Sequence, residues 1–265
     1  MVPGGTAYIG DEGPLAYPQD GESPVRHVSV APFGLDAHAV NNARFATFVE
    51  ATGHVTTAER FGWSFVFAGL LPDEFPETRG VVGAPWWRQV EGATWTRPEG
   101  PGSTVRDRAD HPVVHVSAID ASAFARWAGK RLPTEVEWEH AARGGTTSTF
   151  PWGEELEPGG KHQANVWQGT FPNHNTAADG WYGTCPVDAF AANGYGLHNL
   201  IGNVWEWTAE PFAPGTDTAL LKGGSYLCHA SYCSRYRPAA RSAAAPDSSM
   251  GNAGFRCATD AKSVA

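Results

Sequence analysis

Two of the four cysteines in this chain of 265 residues, Cys228 and Cys233, lie five positions apart in an aromatic and basic segment. A thiolate is both a nucleophile and a ligand for soft metal ions. The neighbouring Arg235, Arg237 and His229 are expected to lower the pKa of a thiol by favouring its charged form. The pair therefore predicts a reactive or metal-binding site. A local disulfide and a pair of buried structural thiols remain open as alternatives.

The composition indicates a loop-rich protein whose packing depends on aromatic side chains. Gly supplies 31 residues, Pro 20 and Trp 11, and 42% of the residues are hydrophobic, which is enough for one large core. The net charge of -9 and the absence of any long run of Lys or Arg speak against nucleic acid as a main partner. No stretch approaches the roughly 18 apolar residues of a membrane span, and no signal-peptide pattern opens the chain. We expect a soluble, unexported monomer with no membrane partner.

Three short helices are predicted as the scaffold for the cysteine segment. The first follows Asn41 and stops at Gly53, and the second covers residues 117–129. The third opens with a capping box between Thr134 and Glu137 and ends near residue 144. Strands are predicted at residues 25–30, 111–116 and 220–225. Residues 146–211 show almost none of the periodicity typical of helices or strands. We therefore expect another feature, such as a bound metal ion, to hold their conformation.

Longer motifs extend along nearly the whole chain. They read FGLDAHAVNNARFATF at 33–48, HPVVHVS at 111–117, AGKRLPTEVEWEHAARGG at 128–145, GYGLHNLIGNVWEWT at 194–208, GGSYLCHASYCSRYR at 223–237 and ARSAAAPDSSMGNAGFRCA at 240–258. With these motifs the chain resembles the formylglycine-generating enzymes, or sulfatase-modifying factors. RLPTE-x-EWE and GN-x-WEW occur across a wider superfamily and specify fold more than activity. The cysteine segment, which resembles the family's active-site strand, is the discriminating feature.

The resemblance implies both a fold and a reaction. The implied fold is a single α+β domain over residues 1–265, related to C-type lectin-like domains and low in regular secondary structure. The implied reaction converts the cysteine of a Cys-x-Pro-x-Arg segment in an unfolded type I sulfatase to Cα-formylglycine. Molecular oxygen is the oxidant, and an external reductant supplies the remaining electrons.

The resemblance also implies the residues of a copper site. Cys228 and Cys233 match the cysteines that bind copper(I), a soft ion that accepts two thiolates and leaves room for the substrate thiolate as a third ligand. Ser225 and Tyr232 match positions lining the copper and oxygen pocket, although by residue type alone they would be a turn serine and a packed tyrosine. A zinc site is the inorganic competitor, but only His229 stands beside the cysteines as a further ligand.

Two structural calcium sites are implied in the irregular middle of the chain. Calcium is a hard cation that binds several oxygen atoms, which Asn, Asp, Glu and backbone carbonyls supply without regular structure. Without the resemblance, these residues would be interpreted as turn and cap residues. The first set comprises the side chains of Asn165 and Asp179 with the carbonyls of Val166 and Trp181. The second comprises the side chains of Asn199 and Glu206 with the carbonyls of Gly202 and Val204.

The chain departs from the animal members of the family at several positions. Trp63 stands in a stretch where they carry an acidic residue, so the partner of the substrate arginine is left unassigned. Ala125 and Ala142 stand where they carry disulfide cysteines, so Cys257 is expected to be a free buried thiol. Cys185, also isolated, is interpreted in the same way. The few cysteines fit a reducing compartment, and a cytoplasmic, prokaryotic protein is expected.

Two other functions compete with the leading interpretation. The first is a non-catalytic, calcium-stabilised lectin-like module that binds a carbohydrate or a peptide and needs no cysteine pair. The second is an iron-dependent sulfoxide synthase with a His-x3-His-x-Glu ligand set. His111 and His115 match the His-x3-His part of that set, but Ser117 stands in the position of its glutamate.

Overall fold

Groups of short strands are separated by two pairs of short helices in a computed structural model that describes residues 1–261. Helix accounts for 17% and strand for 24%, which confirms the prediction of an α+β fold low in regular structure. The helices are α1 (Asn42–Thr52), α2 (Thr57–Phe61), α3 (Ala118–Trp127) and α4 (Glu135–Arg143). The strands are β1 (Gly5–Ile9), β2 (Arg26–Val30), β3 (Phe33–Leu35), β4 (Trp63–Phe67), β5 (Arg79–Val81), β6 (Ala84–Glu91), β7 (Gly169–Thr170), β8 (His174–Asn175), β9 (Trp205–Pro211), β10 (Ala219–Lys222), β11 (Arg241–Ala244), β12 (Ala253–Gly254) and β13 (Ala258–Asp260).

The three predicted helices are confirmed, and their ends follow from local chemistry. Asn41 caps α1 by accepting a hydrogen bond from the Arg44 amide at 3.0 Å, and Gly53 ends the helix with φ 67°. Capping boxes open α3 and α4, and in α4 the box joins Thr134 and Glu137. The short helix α2 was not predicted from the sequence, although Thr56 begins it with a third capping box.

A four-stranded sheet carries the segments that surround the cysteine pair. Its strand order is β11-β10-β9-β12, so β11 forms one edge. β10 is antiparallel to both neighbours, and Leu221 on β10 lies opposite Ser242 on β11 and Trp207 on β9. Strands β4, β6 and β5 form a second sheet, and the remaining strands pair as β1–β2, β3–β13 and β7–β8.

The largest hydrophobic cluster packs helices α1 and α3 against this four-stranded sheet. Phe45 of α1 lies 6.0 Å from Phe124 of α3 and 6.4 Å from Phe255, centroid to centroid. Cys228 and Cys233 belong to the same cluster, so the wall of the core also forms the wall of the site. Within residues 1–261, no helix is long and apolar enough to cross a membrane.

Two of the three strand predictions require correction, whereas the prediction at residues 25–30 is confirmed by β2. Residues 111–116 are not a strand. Within that range only Pro112 makes a β-bridge, to Asn41, and His115 has a φ of 58°, which breaks an extended run. Of residues 220–225, only 220–222 are extended, because β10 ends at Lys222.

The segment predicted to resemble an active-site strand is a series of turns. Gly223 and Gly224 leave the extended conformation with φ 97° and 76°. A Cβ on Gly224 would lie 2.9 Å from the carbonyl oxygen of Arg235, so only glycine allows the two ends of the segment to approach this closely. The single-domain interpretation of residues 1–265 stays a prediction, and residues 262–265 lie outside the described part of the chain.

Candidate active site

Turns and backbone hydrogen bonds fix both cysteines after the end of β10. The amide of Trp167 donates to the carbonyl of Cys228 at 3.0 Å, and the amide of Tyr226 donates to the carbonyl of Asn203 at 3.0 Å. The amide of Cys233 donates to the carbonyl of His229 at 2.7 Å. The irregular middle of the chain therefore holds one cysteine, and a tight turn holds the other.

The two thiols lie side by side in a nearly closed environment. The sulfur atoms of Cys228 and Cys233 are 3.1 Å apart, and the side chains are only 2% and 7% exposed. Both cysteines are free, since a disulfide would place the sulfur atoms about 2.05 Å apart. The structure thus brings together the pair predicted from the sequence, in the dithiol form.

The pair holds one thiolate more readily than two. Burial and the neighbouring Cys233 raise the pKa of Cys228 well above its ordinary value. The pKa of Cys233 is lowered, chiefly because Cys228 can donate its S–H to a Cys233 thiolate, with smaller contributions from Arg235. The predicted effect of neighbouring cations is therefore confirmed for Arg235 acting on Cys233. It is wrong for Cys228, because burial keeps the thiol of Cys228 protonated.

Arg237 and His229 do not act on the thiols as predicted. Arg237 is buried and turns away from the pair to the carboxylates of Asp11 and Glu22, at 2.6 and 2.9 Å. His229 is hydrogen-bonded to the Ser231 hydroxyl at the surface, 2.8 Å away. The residue spacing alone did not reveal these partners.

Ser225 lies beneath the thiols and is fully buried. Its amide donates to the Cys228 sulfur at 3.4 Å, and its hydroxyl oxygen accepts from the side-chain amide of Asn252 at 2.9 Å. The Asn252 side-chain oxygen has no hydrogen-bond partner among the described residues. Asn252 is a site residue that sequence reasoning missed, although its motif was recognised at residues 240–258.

Tyr232 forms the outer wall of the site and is 44% exposed. Its ring stacks on Phe171 with centroids 4.6 Å apart and meets Trp86 edge-on at 4.8 Å. Burial of part of the ring raises the pKa of the Tyr232 hydroxyl, which therefore stays protonated at neutral pH. Trp86 was not predicted from the sequence to belong to the site.

A pocket of about 200 Å³ connects these side chains to the surface. All four predicted copper-site residues line it, together with aromatic side chains and the edge strand β11. Such a pocket is large enough for one side chain of a substrate but not for a folded protein surface. Its lining residues are Trp86, Trp87, Trp205, Leu221, Ser225, Leu227, Cys228, Tyr232, Cys233, Arg235, Ser242, Ala243, Ala244, Met250 and Asn252.

Comparison with known proteins assigns the chain to a family. A model described as "Sulfatase-modifying factor enzyme 1-like domain" matches residues 1–261. This chain belongs to that family. A family relative named formylglycine-generating enzyme, from Thermomonospora curvata, is 56% identical over 98% of this chain and 92% of its own length. A Bos taurus relative named "Inactive C-alpha-formylglycine-generating enzyme 2" is 46% identical over 98% of this chain and 85% of its own length.

The solved structure of PvdO from Pseudomonas aeruginosa shares the fold of this sulfatase-modifying-factor chain. It has a TM-score of 0.66 at 22% identity and covers 98% of this chain, which covers 92% of PvdO. At that identity the likeness shows the fold alone.

In this family member, the residues of the first predicted calcium set lie together. The Asp179 carboxylate accepts hydrogen bonds from the amides of Trp181, at 2.9 Å, and Val166, at 3.3 Å. The side-chain oxygen of Asn165 is buried and has no partner among the described residues. Burial raises the pKa of Asp179, although the side-chain amide of Gln168 donates to this carboxylate at 3.0 Å and also to the Val166 carbonyl. A free buried oxygen beside a desolvated carboxylate fits the donor set that calcium requires.

The second predicted calcium set fits less well. The Glu206 carboxylate is buried and already accepts hydrogen bonds from the Arg256 guanidinium, at 2.8 and 2.9 Å, and from the Trp138 indole, at 2.8 Å. The side-chain oxygen of Asn199 is buried without a partner among the described residues, as a ligand oxygen would be. In this arrangement, however, Arg256 balances the charge of Glu206, and the carboxylate oxygens of Glu206 are not free to bind an ion.

The remaining cysteines behave as predicted. Cys185 and Cys257 are free and fully buried, and burial raises the pKa of each thiol to about 12. Over residues 1–261, His, Cys, Asp and Glu side chains do not gather in any group of three or more that could hold a metal ion. A four-ligand zinc site is therefore not formed around Cys228 and Cys233 by the described residues.

Proposed function

We propose that this chain converts the cysteine of a Cys-x-Pro-x-Arg segment in type I sulfatases to Cα-formylglycine, using copper and O2. The observation that carries the proposal is the pair of free thiols 3.1 Å apart at the base of a pocket that opens beside Tyr232. The family relationship supports the cysteine-to-formylglycine conversion. The copper and O2 chemistry rests on the donor set of the site.

The overall reaction explains why a reductant is needed. Converting the thiol-bearing side-chain carbon of cysteine to an aldehyde releases hydrogen sulfide and removes two electrons from that carbon. Reduction of molecular oxygen to two water molecules takes up four electrons, so two electrons and two protons come from an external reductant. Oxidation of the cysteine side chain gives a thioaldehyde, and a water molecule then supplies the aldehyde oxygen as hydrogen sulfide leaves.

The soft donor set of Cys228 and Cys233 fits copper(I), which would supply a binding site for the substrate thiolate and for O2. The Cys233 thiolate forms at lower pH than an ordinary thiol, so it is available to hold the cation. Ser225 is oriented by Asn252 beneath the thiols, and Tyr232 offers a protonated hydroxyl at the entrance. The burial of both cysteines keeps bulk water away from the sulfur atoms.

The test is mass spectrometry of a Cys-x-Pro-x-Arg peptide incubated with the protein, Cu(I), reductant and O2. The wild-type chain is expected to yield the aldehyde. Cys228→Ser and Cys233→Ser are each expected to lose at least about 100-fold in rate, since removing one partner of a catalytic unit removes nearly all of its effect. Cys257→Ala, which removes a buried thiol outside the pocket, is the matched control and is expected to remain active. Full activity of Cys233→Ser contradicts the mechanism.

A non-catalytic peptide-binding module is the second candidate, because the family includes a relative whose name marks it as inactive. On that alternative the wild-type chain binds the peptide but never changes its mass, and the cysteine variants bind it equally well. The buried thiol pair favours the catalytic function, since a binding surface has no need for a low-pKa thiol.

We further propose that calcium stabilises the first set of oxygen ligands, and that the protein acts as a cytoplasmic monomer. The orphaned Asn165 oxygen and the buried Asp179 carboxylate support the calcium proposal. For the second set, only the Asn199 oxygen offers similar support, and Glu206 would have to leave Arg256 to contribute.

A further inference from the structure

A third sulfur atom belongs to the pocket that contains the two cysteines. Met250 is one of only two methionines in the chain, and it lines that pocket together with Cys228 and Cys233. Its half-buried side chain packs against the hydrophobic cluster to which both cysteines belong. The thioether of Met250 and the two thiols therefore share one space of about 200 Å³.

The backbone on which Met250 stands is fixed beside the pair. The carbonyl of Met250 accepts a hydrogen bond from the His115 amide at 3.0 Å, and Met250 also forms a parallel β-bridge with Phe65. Two residues later, the Asn252 side chain donates to the Ser225 hydroxyl beneath the thiols at 2.9 Å. The methionine side chain has three rotatable bonds, so its sulfur can adjust its position while the backbone stays in place.

Among the described residues that line the pocket, Met250 supplies the one soft donor besides the two thiols. The remaining lining side chains are aromatic, aliphatic, hydroxyl, amide or guanidinium groups, and none of them carries an imidazole, a thiol or a thioether. A thioether is a soft, neutral ligand of the kind that selects copper(I). Zinc instead takes thiolate, imidazole and carboxylate ligands.

We propose that Met250 is the third protein ligand of copper(I) in the substrate-free protein and binds the ion through its thioether. This inference rests on the copper part of the proposed function. Together with Cys228 and Cys233, the thioether offers the ion three soft sulfur atoms from one pocket. Because the thioether is neutral and the substrate thiolate is charged, the substrate replaces Met250 and leaves both cysteines in place.

The role of Met250 is to retain the ion while no substrate is bound. The pocket opens to the surface beside Tyr232, so a small competing thiol can enter by the same opening as the substrate. A ligand tethered to the protein is present at a high effective concentration, and it therefore competes well with a dissolved thiol.

The deciding experiment is X-ray absorption at the selenium edge of selenomethionine-labelled protein that carries one Cu(I) under reducing, oxygen-free conditions. Selenium then enters the chain only at Met1 and Met250, and Met1 is 78% exposed. The wild-type chain is expected to show copper at bonding distance from selenium. Labelled Met250→Leu keeps selenium at Met1 alone, so it is the matched control and is expected to show none. Selenium without a copper neighbour in the wild-type chain overturns the proposal.

A second measurement compares metal affinities by competition with a coloured chelator. Leucine has nearly the volume of methionine, so Met250→Leu preserves the packing of the pocket. This variant is expected to bind Cu(I) about tenfold more weakly, since even groups that only orient a metal ligand contribute that much. Its Zn(II) affinity is expected to stay within about twofold of the wild-type value, because zinc does not use the thioether. Unchanged Cu(I) affinity, or equal losses for both ions, overturns the proposal.

The ligand role of Met250 and the proposed catalysis fail separately. If the peptide is converted but copper is not bonded to selenium, the role of Met250 is overturned and the proposed function stands. If copper is bonded to selenium but the peptide is never converted, the proposed catalysis is overturned and Met250 remains a copper ligand. A wild-type chain that binds no Cu(I) overturns both.

Discussion

At the scale of single residues, the two cysteines of the candidate site are chemically unequal although their neighbourhoods look alike in sequence. Cys228 is deeper and serves as the S–H donor, whereas Cys233 lies toward Arg235 and accepts the negative charge. The inequality arises because a low-dielectric site stabilises one shared charge better than two adjacent ones. We therefore expect Cys233 to be the reactive thiol of the metal-free protein.

Alkylation of the reduced, metal-free chain tests this inequality. A lowered pKa means that the thiolate is present at lower pH, so the rate of Cys233 alkylation by iodoacetamide is expected to rise with a midpoint below the ordinary value of about 8.5. Peptide mapping by mass spectrometry measures each cysteine separately. In Cys228→Ala, the loss of the S–H donor is expected to move the Cys233 midpoint upward. Faster alkylation of Cys228 than of Cys233 would refute the assignment.

At the scale of elements, the loop between β1 and β2 braces the end of the cysteine segment. The Tyr17 hydroxyl accepts a hydrogen bond from the Ser234 amide at 3.0 Å, and the Arg235 guanidinium lies 3.9 Å from the Tyr17 ring centroid. Asp20 pairs with Arg235 at 2.6 Å. An amino-terminal loop and a carboxyl-terminal turn, more than 200 positions apart, thus hold the outer side of the site together.

Arg237 is the most deeply buried part of this brace, and its removal is expected to be costly. Arg237→Met leaves the Asp11 and Glu22 carboxylates without their partner, so the free energy of unfolding in urea should fall by about 3–5 kcal/mol. Arg44→Met is the control, because the exposed Arg44–Asp36 pair should contribute less than about 1 kcal/mol.

The pH dependence of the Arg237→Met deficit follows from Glu22. Burial raises the pKa of Glu22, and Arg237 opposes that effect in the wild-type chain. Without Arg237 the pKa rises further, and a carboxyl with a raised folded-state pKa loses stability as pH increases. The deficit should therefore be largest at neutral pH and shrink on acidification. A deficit that grows as the pH falls toward 5 would contradict this account.

At the scale of the whole molecule, residues 146–204 hold the cysteine segment in place with very little regular structure. In that range the strands β7 and β8 have two residues each, whereas the rest of the segment predicted to be irregular, 205–211, forms β9. The segment nevertheless buries Asn165, Val166 and Trp167, and Trp167 donates its amide to Cys228. A cation at the first calcium set would therefore stabilise the scaffold on which the site depends.

Calcium is accordingly expected to raise the melting temperature relative to EGTA, with about 2.7 kcal/mol gained when its concentration is 100 times Kd. Asp179→Asn should abolish the difference, and Asp188→Asn, at an exposed carboxylate, should retain it. Because the pKa of Asp179 is raised, protons should compete with calcium at higher pH than for an ordinary aspartate. Equal melting temperatures in calcium and EGTA would rule out the site.

The sequence by itself determined the features that depend on neighbouring residues. The cap at Asn41 with the stop at Gly53 predicted α1, and the capping box at Thr134 predicted α4, because capping hydrogen bonds join residues three positions apart. The helical spacing of apolar residues within 117–129 predicted α3. The motif spacing also identified Cys228 and Cys233 as a pair. The sequence did not reveal that residues 111–116 and 223–225 leave the extended conformation, because tertiary contacts select the φ angles of these residues.

Only the tertiary structure decided how the pair works. Asn252, Trp86 and β11 reach the pocket from distant parts of the chain, and no local pattern encodes such contacts. The same holds for Glu206, whose carboxylate is paired with Arg256 fifty positions away. Burial keeps the Cys228 thiol protonated, and the hydrogen bond from Cys228 together with Arg235 lowers the pKa of Cys233, so tertiary surroundings rather than residue type distinguish the two thiols.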